Sequence, residues 1–258
     1  MGGPVVPARP PLPRLPLEDR TPLVAVAHGS RDPRAAATVE ALMDGVRRAR
    51  PGLEVRTAYL DHSAPTLPQA LLGLRSAVVL PLLLTAAYHS RVDLPAALVE
   101  ARAREPRLVV GYGDTLGPHP LLLTALERRL AEAGVAPRDP DTAVVLVSAG
   151  SSDARANATV AALARSWSLP SSGRRWWAVR PAYASAAGPT PAEAVAELRR
   201  VGAPRVVVAP YLLAPGLFAD RVRRESGADA VADVLGAAPE LVSVILDRYR
   251  RTGCSQAA

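Results

Sequence analysis

VAVAHGSRDPRAAATVEAL, residues 24–42, returns as VLVSAGSSDARANATVAAL at residues 145–163. The two stretches share Gly, Ser, Asp, Arg and the triplet Ala-Thr-Val at matched places, yet His28 faces Ala149. The correspondence continues along the chain. VRTAY from Val55 faces VRPAY from Val179, with Pro65-Thr66 and Pro189-Thr190 beyond them. VVLPLLL from Val78 faces VVAPYLL from Val207, and DTLGPHPLL from Asp114 faces DVLGAAPEL from Asp233. Four blocks in one order establish an internal duplication.

Each copy alternates short β-branched apolar runs with amphipathic or alanine-rich stretches. In the first copy this predicts strands near 23–27, 53–60, 76–83 and 107–111, and helices near 33–49, 66–74, 92–104 and 119–133. The second copy repeats the series from about 143 to 250. Strand-helix alternation with short connections implies right-handed crossovers and a parallel sheet covered on both faces. The expected fold class is α/β, two tandem pseudo-symmetric domains at 21–137 and 138–250 facing a cleft, with residues 133–141 as the hinge. Ligands of open parallel sheets sit beyond the carboxyl ends of the strands, which places the expected site in that cleft.

Composition narrows the function classes. The longest apolar run, from Ala77 to Tyr88, is too short to cross a bilayer and contains Pro81, so no membrane span is expected. Residues 1–20 are proline-rich without the apolar block of a secretory signal and read as a disordered tail, with a second tail at 251–258. Cys254 is the only cysteine, which excludes an intramolecular disulfide and suits a reducing compartment, the cytoplasm being expected. The net charge of +7 is carried by 31 basic residues, all arginine, and aromatics are only 4%. With few stacking platforms and no nucleic-acid motif, nucleic acid is not expected as a partner, and a small polyanion remains open. The absence of a Walker loop, a dinucleotide fingerprint and a Gly-x-Ser-x-Gly elbow argues against ATP hydrolysis, hydride transfer and serine esterase chemistry.

The second copy serves as an internal control for the first. All four histidines, His28, His62, His89 and His119, lie in the first half, facing Ala149, Ala186, Phe218 and Ala238. His28 and His89 each follow the end of an apolar strand and are expected to reach the cleft, as is Asp61, which faces Ser185. Imidazole binds divalent metals and changes charge near neutral pH, so this group suits metal handling or proton transfer. A solvated or structural role is the competing reading for His62 and His119. Gly29, Ser30 and Asp32 recur in the second copy without the histidine, so they serve an anion-binding turn or merely shape the loop and cap a helix. Arg31 and Arg91 face Ser152 and Asp220 and are candidates for binding carboxylates.

HGSRD at His28, AYLDHSAPTL from Ala58, PLLLTAAYHSRVDLP ending at Pro95, and GDTLGPHPLL together resemble the sirohydrochlorin chelatases, class II chelatases in their two-repeat form. The resemblance spans Leu23 to about Arg250. It implies a cleft in which a divalent metal enters a flat, carboxylate-rich tetrapyrrole, with His28 and His89 as metal-site and proton-accepting residues. An acidic residue, often glutamate, falls at Asp61, one methylene shorter here. Ser30, Arg31, Tyr88 and Arg91 become tetrapyrrole-binding candidates. The resemblance implies Fe2+ insertion for siroheme synthesis as the favoured reaction, with Co2+ insertion for cobalamin synthesis as the alternative, and no cofactor besides the metal. A monomer is the simpler expectation, since a duplicated chain builds both walls. The rivals are a non-catalytic tetrapyrrole or metal carrier and a phosphate-ligand module using the GSRD turn.

Overall fold

The computed structural model describes residues 21–85, 94–170 and 175–254. The proline-rich tail, the segment carrying Tyr88, His89 and Arg91, and residues 255–258 lie outside them.

The first half runs β1 (Leu23–Ala27), α1 (Pro33–Ala49), β2 (Val55–Tyr59), α2 (Leu67–Leu71), β3 (Ser76–Pro81), α3 (Leu94–Arg104), β4 (Val109–Tyr112) and α4 (Pro120–Glu132). The second runs β5 (Thr142–Ser148), α5 (Ala154–Ser168), β6 (Ala178–Tyr183), α6 (Pro191–Arg200), β7 (Arg205–Pro210), α7 (Leu217–Glu225), β8 (Ala230–Val231) and α8 (Pro239–Cys254). The alternation read from the sequence is thus realised in both copies. Each half forms a four-stranded parallel sheet, ordered β2-β1-β3-β4 and β6-β5-β7-β8.

Alternation along the strands divides the apolar residues between two faces. On β1, Val24 and Val26 join an outer cluster with α2 and α3 residues, whereas Leu23, Ala25 and Ala27 face inward. On β5, Ala143, Val145 and Val147 face outward, and Val144 and Leu146 inward. The inner faces of both sheets share one continuous core with α1, α4, α5 and α8.

That shared core is built by exchange. Helix α4, the last element of the first half, packs on β7 of the second sheet, and α8 packs on β3, β4 and α1 of the first. The Tyr249 hydroxyl donates to the Thr21 carbonyl at 2.7 Å, and Arg128 of α4 pairs with Glu240 of α8. Within the segment expected as the hinge, residues 133–141, Arg138 pairs with Glu127 at 2.9 Å and donates to the Leu169 carbonyl at 2.9 Å, while Asp139 accepts from the Thr142 hydroxyl at 2.6 Å. Periodicity marks which face of a helix is apolar but not which sheet receives it, so the crossing of α4 and α8 could not be read in advance.

Candidate functional site

The loops after the central strands of both sheets enclose a cavity of about 390 Å3. Residues 27–30 run from the last residue of β1, 82–85 follow β3, 148–151 run from the last residue of β5 and 211–214 follow β7, and each group lines it. Tyr59, Asn157 and Phe218 line it as well. The cavity therefore lies beyond the carboxyl ends of the strands and between the two halves, where the topology places a ligand.

His28 lines this cavity, as does its counterpart Ala149 on the opposite wall. The strand ladder continues past β1: Leu60 N–H donates to the Ala27 carbonyl at 3.1 Å, and Asp61 N–H to the His28 carbonyl at 2.9 Å. His28 and Asp61 are thereby held on adjacent chain segments. The second half repeats the arrangement, with Ser185 N–H donating to Ala149 at 2.9 Å. His62 has a positive φ of 57°, and Ala186 one of 58°, so this backbone shape belongs to the fold and not to the histidine.

The Asp61 carboxylate accepts from the His62 backbone N–H at 2.8 Å and lies 3.1 Å from His62 Nε2. It is exposed and does not line the cavity. Ser30 does line it, and its hydroxyl accepts from Asp32 N–H at 3.0 Å, leaving its own proton available for donation. Arg31 is exposed and lies outside the lining. Asp32 caps α1 by accepting from Arg34 N–H, just as Asp153 caps α5, so the repeated aspartate is a helix cap. Tyr88, His89 and Arg91 lie outside the described residues. Among the described residues no three His, Cys, Asp or Glu side chains come together as a metal cluster.

His119 has a structural task. It is the N-cap of α4, its Nδ1 accepting from Leu121 N–H at 3.2 Å. Burial, and then the nearby Arg248 guanidinium, lower its pKa, which keeps that acceptor unprotonated.

Two residues that the sequence reading passed over join the halves beside the cavity. Arg34 chelates Asp32 and reaches Asp220 of α7 at 2.6 Å. Hydrogen bonds from Arg34 hold both carboxyls below the usual aspartate range. Tyr211 donates to the Leu84 carbonyl at 3.1 Å and faces Leu82 in the repeat alignment, a mismatch that could have flagged it. A second cavity, of about 520 Å3, borders Arg34, Arg129 and Arg223. These guanidiniums are already paired with the carboxylates of Asp220, Glu132 and Asp233 respectively, which leaves that space little positive charge to offer an anion.

The CbiX family model matches residues 22–133 and again 143–252. The chain is 28% identical over 244 residues to a sirohydrochlorin cobaltochelatase of Priestia megaterium, covering 86% of this chain and 77% of that one. It is 25% identical over 245 residues to a sirohydrochlorin ferrochelatase of Bacillus subtilis, covering 90% and 92%. Among solved structures it is similar to SirB from Bacillus subtilis with Fe3+, at a TM-score of 0.75 and 24% identity over 92% of this chain and 97% of that one. The duplication and the strand-end cavity thus have a family setting: the chain belongs to the CbiX family of sirohydrochlorin chelatases and carries its repeat unit twice.

Proposed function

We propose that this chelatase inserts Fe2+ into sirohydrochlorin, the metal being substrate and no other cofactor entering the reaction. The observation that carries the reading is the one-sided cavity: His28 stands on one wall at the end of β1, and the matching position on the other wall is Ala149. A cleft with apolar lining on both walls accepts a flat macrocycle between them. The metal then arrives from the histidine side.

Insertion releases two pyrrole N–H protons as the ring nitrogens bind the ion, and the ion sheds water in exchange. An imidazole serves both needs, holding a borderline ion by one nitrogen or taking up a proton near neutral pH. In the proposed mechanism His28 and His89 share these tasks, and Asp61 contributes an oxygen ligand or acts through water. Ser30, Arg31, Tyr88 and Arg91 bind the substituents of the ring. Iron is favoured because the ferrochelatase relative is matched along most of both chains. The cobaltochelatase relative supports cobalt as the second reading. The protein acts as a cytoplasmic monomer in this proposal, and among the described residues no helix is long and apolar enough to cross a membrane.

The test is anaerobic incubation of the purified protein with sirohydrochlorin and Fe2+ or Co2+, followed in the visible spectrum. Faster Fe2+ insertion at equal free metal supports the proposal, and a larger acceleration with Co2+ shifts it to cobalt. Binding of the ring with no acceleration by either ion makes the protein a carrier.

A further inference from the structure

The two halves end β2 and β6 on equivalent tyrosines, Tyr59 and Tyr183, and use them differently. Both rings are buried in the shared core, at 4% and 5% exposure. Tyr183 hydroxyl donates to the Asn157 carbonyl at 2.9 Å. Asn157 is itself fixed to the following wall: its Oδ1 accepts from Ser151 N–H at 3.1 Å and its Nδ2 donates to the Ser151 carbonyl at 2.7 Å. The position equivalent to Asn157 is Ala36, which has no side chain to make that staple.

Tyr59 lines the cavity, and its hydroxyl has no hydrogen-bond partner among the described residues. Among the described residues it is not one of the buried side-chain polar atoms that lack a hydrogen bond. A phenol whose ring is fixed in the core while its hydroxyl is unshared is a donor held in place for something that enters. Ala27 faces Tyr59 in the β1–β2 register, so this donor stands beside the residue that precedes His28. Burial, with the Glu40 carboxylate as a lesser influence, raises the tyrosine pKa and keeps the proton on the oxygen.

We propose that Tyr59 is a substrate-binding residue, its hydroxyl donating a hydrogen bond to a carboxylate substituent of the tetrapyrrole and so setting the rotation of the ring relative to His28. The inference rests on the proposed chelation of sirohydrochlorin. Chemistry favours a carboxylate because the donor is neutral and the lining around it is largely apolar, where a bond to a charged acceptor is stronger than one to a neutral group. Tyr183 cannot do the same while its proton is held by Asn157. The ring is therefore oriented from the histidine wall and only packed by the other.

The test compares Tyr59→Phe with Tyr183→Phe, measuring metal-free sirohydrochlorin binding, insertion kinetics and melting temperature for both and for the parent. Loss of one bond to a charged group predicts a KM and a Kd for the ring raised on the order of tenfold in Tyr59→Phe, with an unchanged melting temperature. Tyr183→Phe is expected to melt lower and to keep the parent Kd. An unchanged Kd in Tyr59→Phe, or equal effects of the two substitutions on Kd, overturns this role for Tyr59. A parent protein that does not bind sirohydrochlorin at all overturns the chelatase reading itself and this role with it.

Discussion

A Cβ built on Gly29 would stand 1.7 Å from the carbonyl oxygen of Asp61, and one on Gly150 would stand 1.9 Å from that of Ser185. Both glycines also have positive φ, 93° and 85°. The glycine after His28 is therefore required by the close crossing of two loops, with or without a histidine beside it. Gly29→Ala should destabilise by about 1–3 kcal/mol from the left-handed backbone alone, and more from the clash. It should also separate His28 from Asp61 and abolish insertion. Gly150→Ala should lose similar stability but retain more insertion per folded molecule at saturating ring. Circular dichroism melts with insertion rates normalised to folded protein check this, and an equal loss of turnover in both would overturn it.

The Arg34–Asp220 pair joins α1 to α7 across the two halves. Both side chains are partly solvated, so Asp220→Ala should lower the melting temperature only modestly, and less at high salt. Asp220→Arg copies the residue that the first half carries at Arg91. It places two guanidiniums together and should melt lower than Asp220→Ala at low salt, the gap closing as salt rises. A gap that does not respond to salt would show that the contact is packing and not charge.

His28→Ala should cut insertion on the order of 100-fold or more. Its side chain sits at a strand end facing the cavity, so the melting temperature should stay close to that of the parent. Sirohydrochlorin binding without metal should survive, since the walls and the ring's carboxylate partners remain. Stopped-flow insertion assays beside ring titrations separate these effects. Parent-like rates with both Fe2+ and Co2+ would remove His28 from the chemistry.

The duplication, the strand-helix order and the position of His28 were legible in the sequence because each depends on local pattern or on comparing two copies. Strand ends follow from where an apolar run stops, and the carboxyl-end rule then places the cleft. Arg34 was passed over because its match in the second half is Arg155, so the copies look alike there while the partner, Asp220, lies 186 residues away. Comparison of copies reveals differences in residues, not differences in what equal residues touch. Tyr59 and Tyr183 escape it for the same reason.

Stability should depend on pH through His119. The imidazole protonates near 6.5 when unperturbed and only at lower pH in the folded chain, where burial and Arg248 oppose the charge. Between those two values the unfolded chain holds more protons, so stability is full above about pH 6.5 and is lost as pH falls through that window. Protonation of Nδ1 also removes the acceptor that caps α4. Asp247 favours the charge and Arg251 opposes it, which leaves the net direction downward. His119→Asn supplies a cap that does not titrate. The difference between its melting temperatures at pH 7.5 and 5.5 should be smaller than the parent's, and an equal difference would assign the acid sensitivity elsewhere.

The exchange of α4 and α8 predicts that neither half folds alone. Leu241, Val244, Ile245 and Tyr249 of α8 are buried, and they sit in the core shared with the first sheet. At roughly 1.5–3 kcal/mol for each large apolar side chain, these four contribute about 6–12 kcal/mol as an upper figure. That is comparable to the entire net stability of a typical domain, about 5–15 kcal/mol. A fragment of residues 21–137 loses this helix and also exposes the face of α4 that rests on β7. It should show no cooperative thermal transition, whereas mixing it with residues 138–258 should restore one together with insertion activity. That outcome would make the halves units of descent and not of folding. Near-ultraviolet circular dichroism and calorimetry of the two fragments, separately and mixed, decide the matter: a sharp, two-state melt of 21–137 alone would mean that the crossed helices are an ornament on two self-sufficient domains.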